Sequence, residues 1–286
     1  MVIESIPKIA GMAYALIATI LVSMLLRRGK FSKKLGYAFL VVSTLFGFLV
    51  FAPMLPLQFQ TVILGNVKQL GVPLALAIIV LIVFIVLVFI SGRAFCGYVC
   101  PIGALQELLY RIPSRKLRIG NKAVPIGFHY MFLVVFVISA LTLSIGLLKY
   151  LGVRDFFYLN TASVFFYVFL GISVVSVFVY RPFCRLTCPY GALLSLAGIR
   201  SRYSLKRNEN CIDCGKCEKV CPTHEAGRKD LKQECYLCQR CIYVCPSSAI
   251  EYTRRQDINS KREPSADLST GAVSEEKGQA ARAPVQ

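Results

Sequence analysis

The sequence predicts an α-helical membrane protein with about five transmembrane helices in two parallel repeats, followed by a small α+β domain. Three observations support this fold class. The chain of 286 residues is 56% hydrophobic, has a mean hydropathy of +0.59 and contains no Trp, unlike ordinary soluble domains. A short cysteine motif occurs twice within the apolar part. Two longer cysteine runs of identical spacing follow it.

Five apolar segments are long enough to cross a hydrocarbon core of about 30 Å. They are residues 9–26, 35–55, 74–91, 125–148 and 161–180. The first differs from a cleaved signal peptide because its positive charges follow the apolar run, so we expect it to remain as a span. This segment is short, at 18 residues, and contains Gly11, Thr19 and Ser23.

Positive charge is concentrated in the apolar part of the chain. Residues 1–207 carry a net charge of +18, whereas residues 208–286 are neutral. The loops after the first, third and fifth segments hold most of the Lys and Arg residues, so the positive-inside rule places them and the C-terminal domain in the cytoplasm. We therefore expect a multi-pass protein of the cytoplasmic (inner) membrane that touches anionic lipid. No nucleic-acid motif accompanies the charge.

Two copies of the pattern C-x2-C-x2-C-x3-C-P dominate the C-terminal domain. The copies start 24 residues apart, at Cys211 and Cys235. This is the ligand run of bacterial two-cluster ferredoxins, in which three cysteines of one run and the fourth of the other hold each [4Fe-4S] cluster. The spacing assigns cluster 1 to Cys211, Cys214, Cys217 and Cys245, and cluster 2 to Cys235, Cys238, Cys241 and Cys221.

Zinc and disulfides are the alternatives for these cysteines. Structural zinc sites use two separated C-x2-C pairs and have no need of further cysteines at these offsets. Disulfides require an oxidising compartment, which the predicted orientation excludes. The sequence thus divides into a membrane domain (1–206), a two-cluster ferredoxin domain (207–252) and a disordered tail (253–286) rich in charged and small residues.

An internal repeat with an offset of 88 residues relates residues 93–105 to residues 181–193. Eight of the thirteen positions are identical, and each copy contains C-x3-C-P. The repeat supplies Cys96, Cys100, Cys184 and Cys188. The prolines favour short helices after each motif, which we expect to lie in the membrane interface beneath the ferredoxin domain, with both cysteine pairs at the cytoplasmic surface.

Three interpretations of these four cysteines remain open. The two pairs could form one four-thiolate site for a further iron-sulfur cluster or a soft metal ion. Each pair could instead act as a reactive dithiol at a helix N-terminus. In the third interpretation the thiols only pack between helices.

Two single residues of the membrane domain are candidates for binding quinone or moving protons. His129 lies near the start of the fourth apolar segment and could serve either role, or be an interfacial polar residue. Glu107 could take a proton from a quinol, or lie on an exposed helix face.

The order of these motifs resembles the polyferredoxin-type membrane subunits typified by NapH, the quinol dehydrogenase subunit of the periplasmic nitrate reductase system. NosR and CcoG belong to the same superfamily. The matching segments are residues 95–107, residues 183–192 and the two cysteine runs, and the resemblance extends over residues 35–252. It implies a quinol dehydrogenase-type oxidoreductase subunit that passes electrons from quinol to a partner redox protein.

Three functional hypotheses follow. The first is a membrane-bound carrier that moves electrons between the quinone pool and a partner redox protein or complex through the two clusters. The second is a copper-handling or reductase factor for the maturation of another enzyme, acting through the C-x3-C-P thiolates. The third is a cluster-based redox sensor that signals through its tail.

Overall fold

The computed structural model describes residues 2–49, 55–65, 73–118 and 120–254. The helices are α1 Val2–Arg27, α2 Lys33–Leu49, α3 Leu55–Ile63, α4 Leu74–Ser91, α5 Pro101–Tyr110, α6 Ala123–Leu143, α7 Leu147–Tyr150, α8 Val153–Phe157, α9 Val164–Val175, α10 Pro189–Ile199, α11 Lys216–Val220 and α12 Arg240–Val244. Strands β1 (Tyr203–Arg207) and β2 (Ile250–Arg254) form an antiparallel pair in which Tyr203 lies opposite Arg254. All but two residues of the predicted tail lie outside the described residues.

Three described helices are long and apolar enough to cross a membrane: Ala10–Arg27 within α1, α4 and α6. Their outward side chains fit lipid, since Ile79 and Ile82 on α4 and Val134 on α6 are more than half exposed. The protein is therefore a helical membrane protein. The second and fifth predicted spans correspond to α2 and α9, which are shorter, at 17 and 12 residues.

Each C-x3-C-P motif folds as a π-helical turn followed by an α-helix. The turns are Phe95–Val99 and Phe183–Thr187, and the amide of Cys100 donates to the carbonyl oxygen of Phe95 at 2.9 Å. Cys100 and Cys188 are extended, with ψ of 121° and 101°, because the proline that follows disfavours helical geometry. Each proline then opens its helix at the first position.

Helices α5 and α10 begin deep inside the membrane domain. The hydroxyl of Tyr190 donates to the carbonyl oxygen of Leu81 at 2.6 Å, and Leu81 lies about 15 Å along α4 from Ser91. A Cβ on Gly47, near the far end of α2, would lie 2.6 Å from Pro101. The first turns of both helices are therefore packed inside the protein, and their predicted position at the membrane interface stays a prediction.

The ferredoxin domain rests on the end of α4. The hydroxyl of Tyr252 on β2 donates to the carbonyl oxygen of Ser91 at 2.7 Å. Arg27, at the end of α1, lies over the ring of Tyr203 on β1, 3.9 Å from its centroid. Both strands thus join the cysteine-rich loops to the membrane helices at one place, where the rings of Tyr203 and Tyr252 stack on each other.

The close packing at Gly47 gives a test of the buried position of α5. Gly47→Ala should lower the free energy of unfolding by about 1–3 kcal/mol, since the new methyl group would overlap Pro101 and Phe157. Thermal unfolding in nanodiscs measures the change. Gly171→Ala is the matched control, because nothing lies within 4 Å of a Cβ there. Equal stability of the two variants would contradict this packing.

Candidate iron-sulfur centres and the buried charge network

Two cavities in the ferredoxin domain are each lined by four cysteines. The first encloses about 290 Å³, including its open mouth, and is lined by Cys211, Cys214, Cys217 and Cys245. The second encloses about 510 Å³ and is lined by Cys221, Cys235, Cys238 and Cys241. Each cavity therefore combines three cysteines of one run with the fourth of the other. Four soft sulfur donors around one cavity are the ligand set of a [4Fe-4S] cluster.

Left-handed backbone positions wrap both loops in the same way. Gly215 and Gln239, which precede α11 and α12, have φ of +68° and +62°. Asp213 and Leu237, two residues earlier, are also left-handed. These kinks turn three cysteines of each run toward one cavity.

The fourth cysteine of each run receives a backbone hydrogen bond. The amide of Glu225 donates to Sγ of Cys221 at 3.4 Å, and the amide of Ala249 donates to Sγ of Cys245 at 3.3 Å. Such bonds stabilise negative charge on sulfur. Burial has the opposite effect on a free thiol, and it raises the pKa of Cys235 to about 12. Loading the second cavity with iron must therefore release protons.

The two cavities differ in their surroundings. Cys214 of the first is exposed to solvent, and its neighbour Ile212 is 67% exposed. The corresponding residue of the second run, Tyr236, is buried against the membrane domain. Arg207 and Ile250 line both cavities and form the wall between them.

The four cysteines of the membrane domain are all buried. Their side chains are between 6% and 8% exposed, and the charge on each thiolate would act on the others. They are Cys96, Cys100, Cys184 and Cys188. Sγ of Cys188 also accepts a hydrogen bond from the amide of Gly191 at 3.2 Å. Within the described residues, no three His, Cys, Asp or Glu side chains are placed to hold a single metal ion.

Two buried arginines, one from each repeat, bind across to the other repeat. Arg93 donates to the carbonyl oxygen of Gly191 at 3.1 Å, and Arg181 donates to the carbonyl oxygen of Gly97 at 2.8 Å. Arg181 also donates to the carbonyl oxygen of Cys96. The two cysteine motifs are thereby tied to each other through their backbones.

The ferredoxin domain inserts a loop, residues 234–236, between these arginines. Glu234 accepts from Arg93 at 2.9 Å. The ring of Tyr236 lies 4.3 Å from the guanidinium carbon of Arg93 and 4.7 Å from that of Arg181. The hydroxyl of Tyr236 donates to Glu234 at 3.1 Å. Cys235, a lining residue of the second cavity, is held between these two anchored side chains.

Glu234 remains ionised at the base of the loop. Burial favours its neutral form, but the positive charge of Arg93 and contact with His129 hold the pKa of this carboxyl below its usual value. Arg185 adds a second cationic neighbour, 3.8 Å away. A buried carboxylate with such partners is stabilised in place.

A second buried carboxylate, Glu107 on α5 of the membrane domain, also joins the two domains. It accepts from Arg181 at 3.1 Å, from Arg240 of the ferredoxin domain at 2.6 Å, and from Arg111 at 3.3 Å. The Glu107 side chain is only 1% exposed. It is therefore not on an exposed helix face, and the alternative prediction for this residue is wrong.

His129 is buried as well. Its Nε2 donates to the carbonyl oxygen of Cys188 at 2.8 Å, and its Nδ1 lies 3.8 Å from Glu234. It thus joins the second cysteine motif to the ferredoxin loop and is not the interfacial polar residue considered above. Neither His129 nor Glu107 lines either of the two cavities.

Sequence reasoning missed most of this charge network. The signal for Arg93 and Arg181 was present, because each begins a copy of the internal repeat. Glu234, Tyr236 and Arg240 lie inside or beside a cysteine run, where spacing draws attention only to the cysteines. Their partners are distant in sequence, so no local pattern marks them.

Family models match both parts of the site. A 4Fe-4S binding domain model matches residues 72–120 and 161–206, which contain the two C-x3-C-P motifs. A 4Fe-4S dicluster domain model matches residues 195–257. No solved structure matches the chain.

Several known proteins are similar to the chain. MJ0749 of Methanocaldococcus jannaschii is 33% identical over 68% of this chain and 79% of its own length. YccM of Escherichia coli K12, whose name refers to electron transport, is 30% identical over 66% of this chain. The ferredoxin-type protein NapH of Haemophilus influenzae is 28% identical over 59% of this chain. The chain spans 58% of YccM and 64% of this NapH.

The fold and the two cysteine-lined cavities define a membrane-associated iron-sulfur electron-transfer protein. Together with the relatives, they show that the chain belongs to the family of NapH-type polyferredoxin membrane proteins.

The contact at Gly97 allows a test of the loop docking. Gly97→Ala should increase hydrogen exchange of residues 234–241 about tenfold or more, because the added Cβ would lie 2.4 Å from the carbonyl oxygen of Tyr236. Mass spectrometry of peptides covering these residues measures the rate. Gly127→Ala is the control, since a Cβ there meets nothing within 4 Å. Unchanged exchange in Gly97→Ala would contradict the docked loop.

Proposed function

We propose that this protein carries single electrons between the quinone pool and a partner redox protein. The observation that supports it most is the contact between the second cavity and the buried C-x3-C-P cysteines. Cys235 lines the cavity, and the hydroxyl oxygen of its neighbour Tyr236 lies 3.4 Å from the carbonyl oxygen of Cys184. Cysteine-lined positions therefore extend in series from the membrane interior to the exposed surface at Cys214.

We assign the cluster ligands as the spacing predicts. Cys211, Cys214, Cys217 and Cys245 would hold one [4Fe-4S] cluster, and Cys235, Cys238, Cys241 and Cys221 the other. The clusters supply reversible one-electron transfer when bound. The protein fixes their positions and, through the exposed Cys214, leaves the first accessible to a partner.

The four buried cysteines of the membrane domain are proposed to hold a further redox centre. The reciprocal arginines bring the two motifs together, and all four thiols are shielded from solvent. Their depth supports a role in crossing the membrane. The neighbouring Tyr190 bonds to α4 about 15 Å from its Ser91 end, about halfway through a hydrocarbon core of ~30 Å.

In this proposal the two repeats are related in parallel, and five segments span the cytoplasmic membrane with the ferredoxin domain in the cytoplasm. The basic loops around α2, α5 and α10 favour this orientation. His129 and Glu107 would hold the domains together and would bind neither quinone nor its proton directly, because both are saturated with buried partners.

The same four thiols support a second candidate function. A buried set of soft donors next to a ferredoxin domain also suits a factor that binds or reduces copper for the maturation of another enzyme. The two candidates differ in the source of electrons. A carrier takes them from quinol, whereas a maturation factor receives them through the ferredoxin domain from the cytoplasm.

Quinol addition under anaerobic conditions separates these candidates. Menaquinol or ubiquinol should bleach the visible iron-sulfur absorbance of the protein in nanodiscs to the extent that the cluster potentials allow. Dithionite gives the full bleach as the control. Bleaching by dithionite without any response to either quinol would contradict the quinol-linked function. High-affinity Cu(I) binding, lost in Cys96→Ala/Cys184→Ala, would then favour the copper candidate.

Paired cysteine variants test the ligand assignment. Cys211→Ala and Cys245→Ala should each remove one [4Fe-4S] cluster, and the double variant should lose no more than that one, because both residues serve the same cavity. Cys211→Ala/Cys221→Ala should lose both clusters. Iron and sulfide content together with low-temperature EPR measure the outcome. The reverse pattern, with both clusters lost in Cys211→Ala/Cys245→Ala and one in Cys211→Ala/Cys221→Ala, would contradict the exchange of the fourth ligand.

A further inference from the structure

Arg240 lies at the boundary between the second cavity and the membrane domain. It lies in sequence between Cys238 and Cys241, and its side chain lines the cavity together with them. Its Nη2 donates to Oε1 of Glu107 at 2.6 Å. One edge of the guanidinium thus binds a carboxylate of the membrane domain, and the other edge faces the cysteines of the cavity.

The second edge of this guanidinium has an unused donor. Nη1 of Arg240 is buried, and no described residue accepts a hydrogen bond from it. The thiol of Cys238 lies beside the guanidinium. A buried, unpaired cationic donor is costly, which indicates that something in the cavity accepts from it. A cluster sulfur or a cysteine thiolate provides such an acceptor.

Aromatic rings fix the plane of the guanidinium. Tyr110 on α5 and Tyr180, in the loop after α9, each have a ring centroid 5.2 Å from its central carbon. The Arg240 side chain is only 21% exposed. Solvent therefore screens its charge weakly, and the orientation toward the cavity is maintained.

The corresponding residue of the other run lacks these features. Lys216 lies 24 residues before Arg240, at the same position of the first run, and is exposed. No carboxylate of the membrane domain pairs with it among the described ion pairs. The two halves of the ferredoxin domain are therefore electrostatically different at a position equivalent in sequence.

We propose that Arg240 and Glu107 together set the reduction potential of the cluster in the second cavity. Arg240 raises the potential, because a positive charge and an N–H donor at the sulfurs stabilise the added electron. Glu107 lowers it, because its negative charge lies 2.6 Å from Arg240 and partly offsets that positive charge. A residue of membrane helix α5 thereby tunes a centre in the ferredoxin domain. This inference rests on the proposed assignment of a [4Fe-4S] cluster to that cavity.

Redox titration of the full chain in nanodiscs, followed by EPR, tests the proposal. Arg240→Gln should lower the midpoint potential of one cluster, with at least a tenfold change in its reduced-to-oxidised ratio at fixed potential, or about 59 mV for a one-electron couple. Glu107→Gln should raise the midpoint of the same cluster. Lys216→Gln is the matched control and should leave that cluster unchanged.

If Arg240→Gln and Glu107→Gln shift the midpoint potential in opposite directions, the ion pair tunes the cluster and the shifts do not come from structural damage. Damage to the docking would move the potential in the same direction in both variants, and that result would overturn the proposal, as would unchanged midpoints. If Arg240→Gln fails to assemble clusters, Glu107→Gln and Arg240→Lys test the proposal instead. Arg240→Lys should then keep a midpoint potential near that of the wild type. Absence of [4Fe-4S] signals from the wild-type protein would instead contradict the proposed function itself.

Discussion

The architecture depends on pairing four charges that are hidden from water. Arg93, Arg181, Glu107 and Glu234 have side chains that are at most 3% exposed. Leaving any of them unpaired would cost several kcal/mol, because a buried charge loses its hydration. Glu234 belongs to the ferredoxin domain and Arg93 to the membrane domain, so neither domain satisfies its own charges alone. The membrane domain and the ferredoxin domain must therefore fold against each other.

This constraint also positions the redox sites. The loop that brings Glu234 to Arg93 carries Cys235 and Tyr236, so the ion pair that holds the domains together holds the second cavity against the C-x3-C-P motifs. Rigid, dry contacts of this kind favour electron transfer because the separation between centres stays fixed. The first cavity needs no such contact. Its exposed Cys214 and Ile212 remain available to another protein.

The sequence predicted the parts of the fold that depend on local patterns. Apolar length revealed α1, α4 and α6, and cysteine spacing identified the sets that line the two cavities. The depth of α5 and α10 could not be predicted this way, because their charged ends suggest an interface. The interior position depends on tertiary contacts such as Gly47 with Pro101. The ion pairs Arg181–Glu107 and Arg93–Glu234 join residues more than 70 positions apart, so no periodicity reveals them.

Divergence between the two repeats explains why the ferredoxin domain docks in one orientation. Gly97 of the first repeat corresponds to Arg185 of the second, and Glu107 corresponds to Ser195. The absence of a side chain at Gly97 admits the backbone of Tyr236, whereas Arg185 lies 3.8 Å from Glu234. Glu107 also binds Arg240 of the ferredoxin domain at 2.6 Å, and Ser195 carries no charge with which to do the same. These differences between the two sequence copies therefore fix where the loop docks, with Tyr236 at Gly97 and Glu234 near Arg185, so the second cavity lies against the C-x3-C-P motifs.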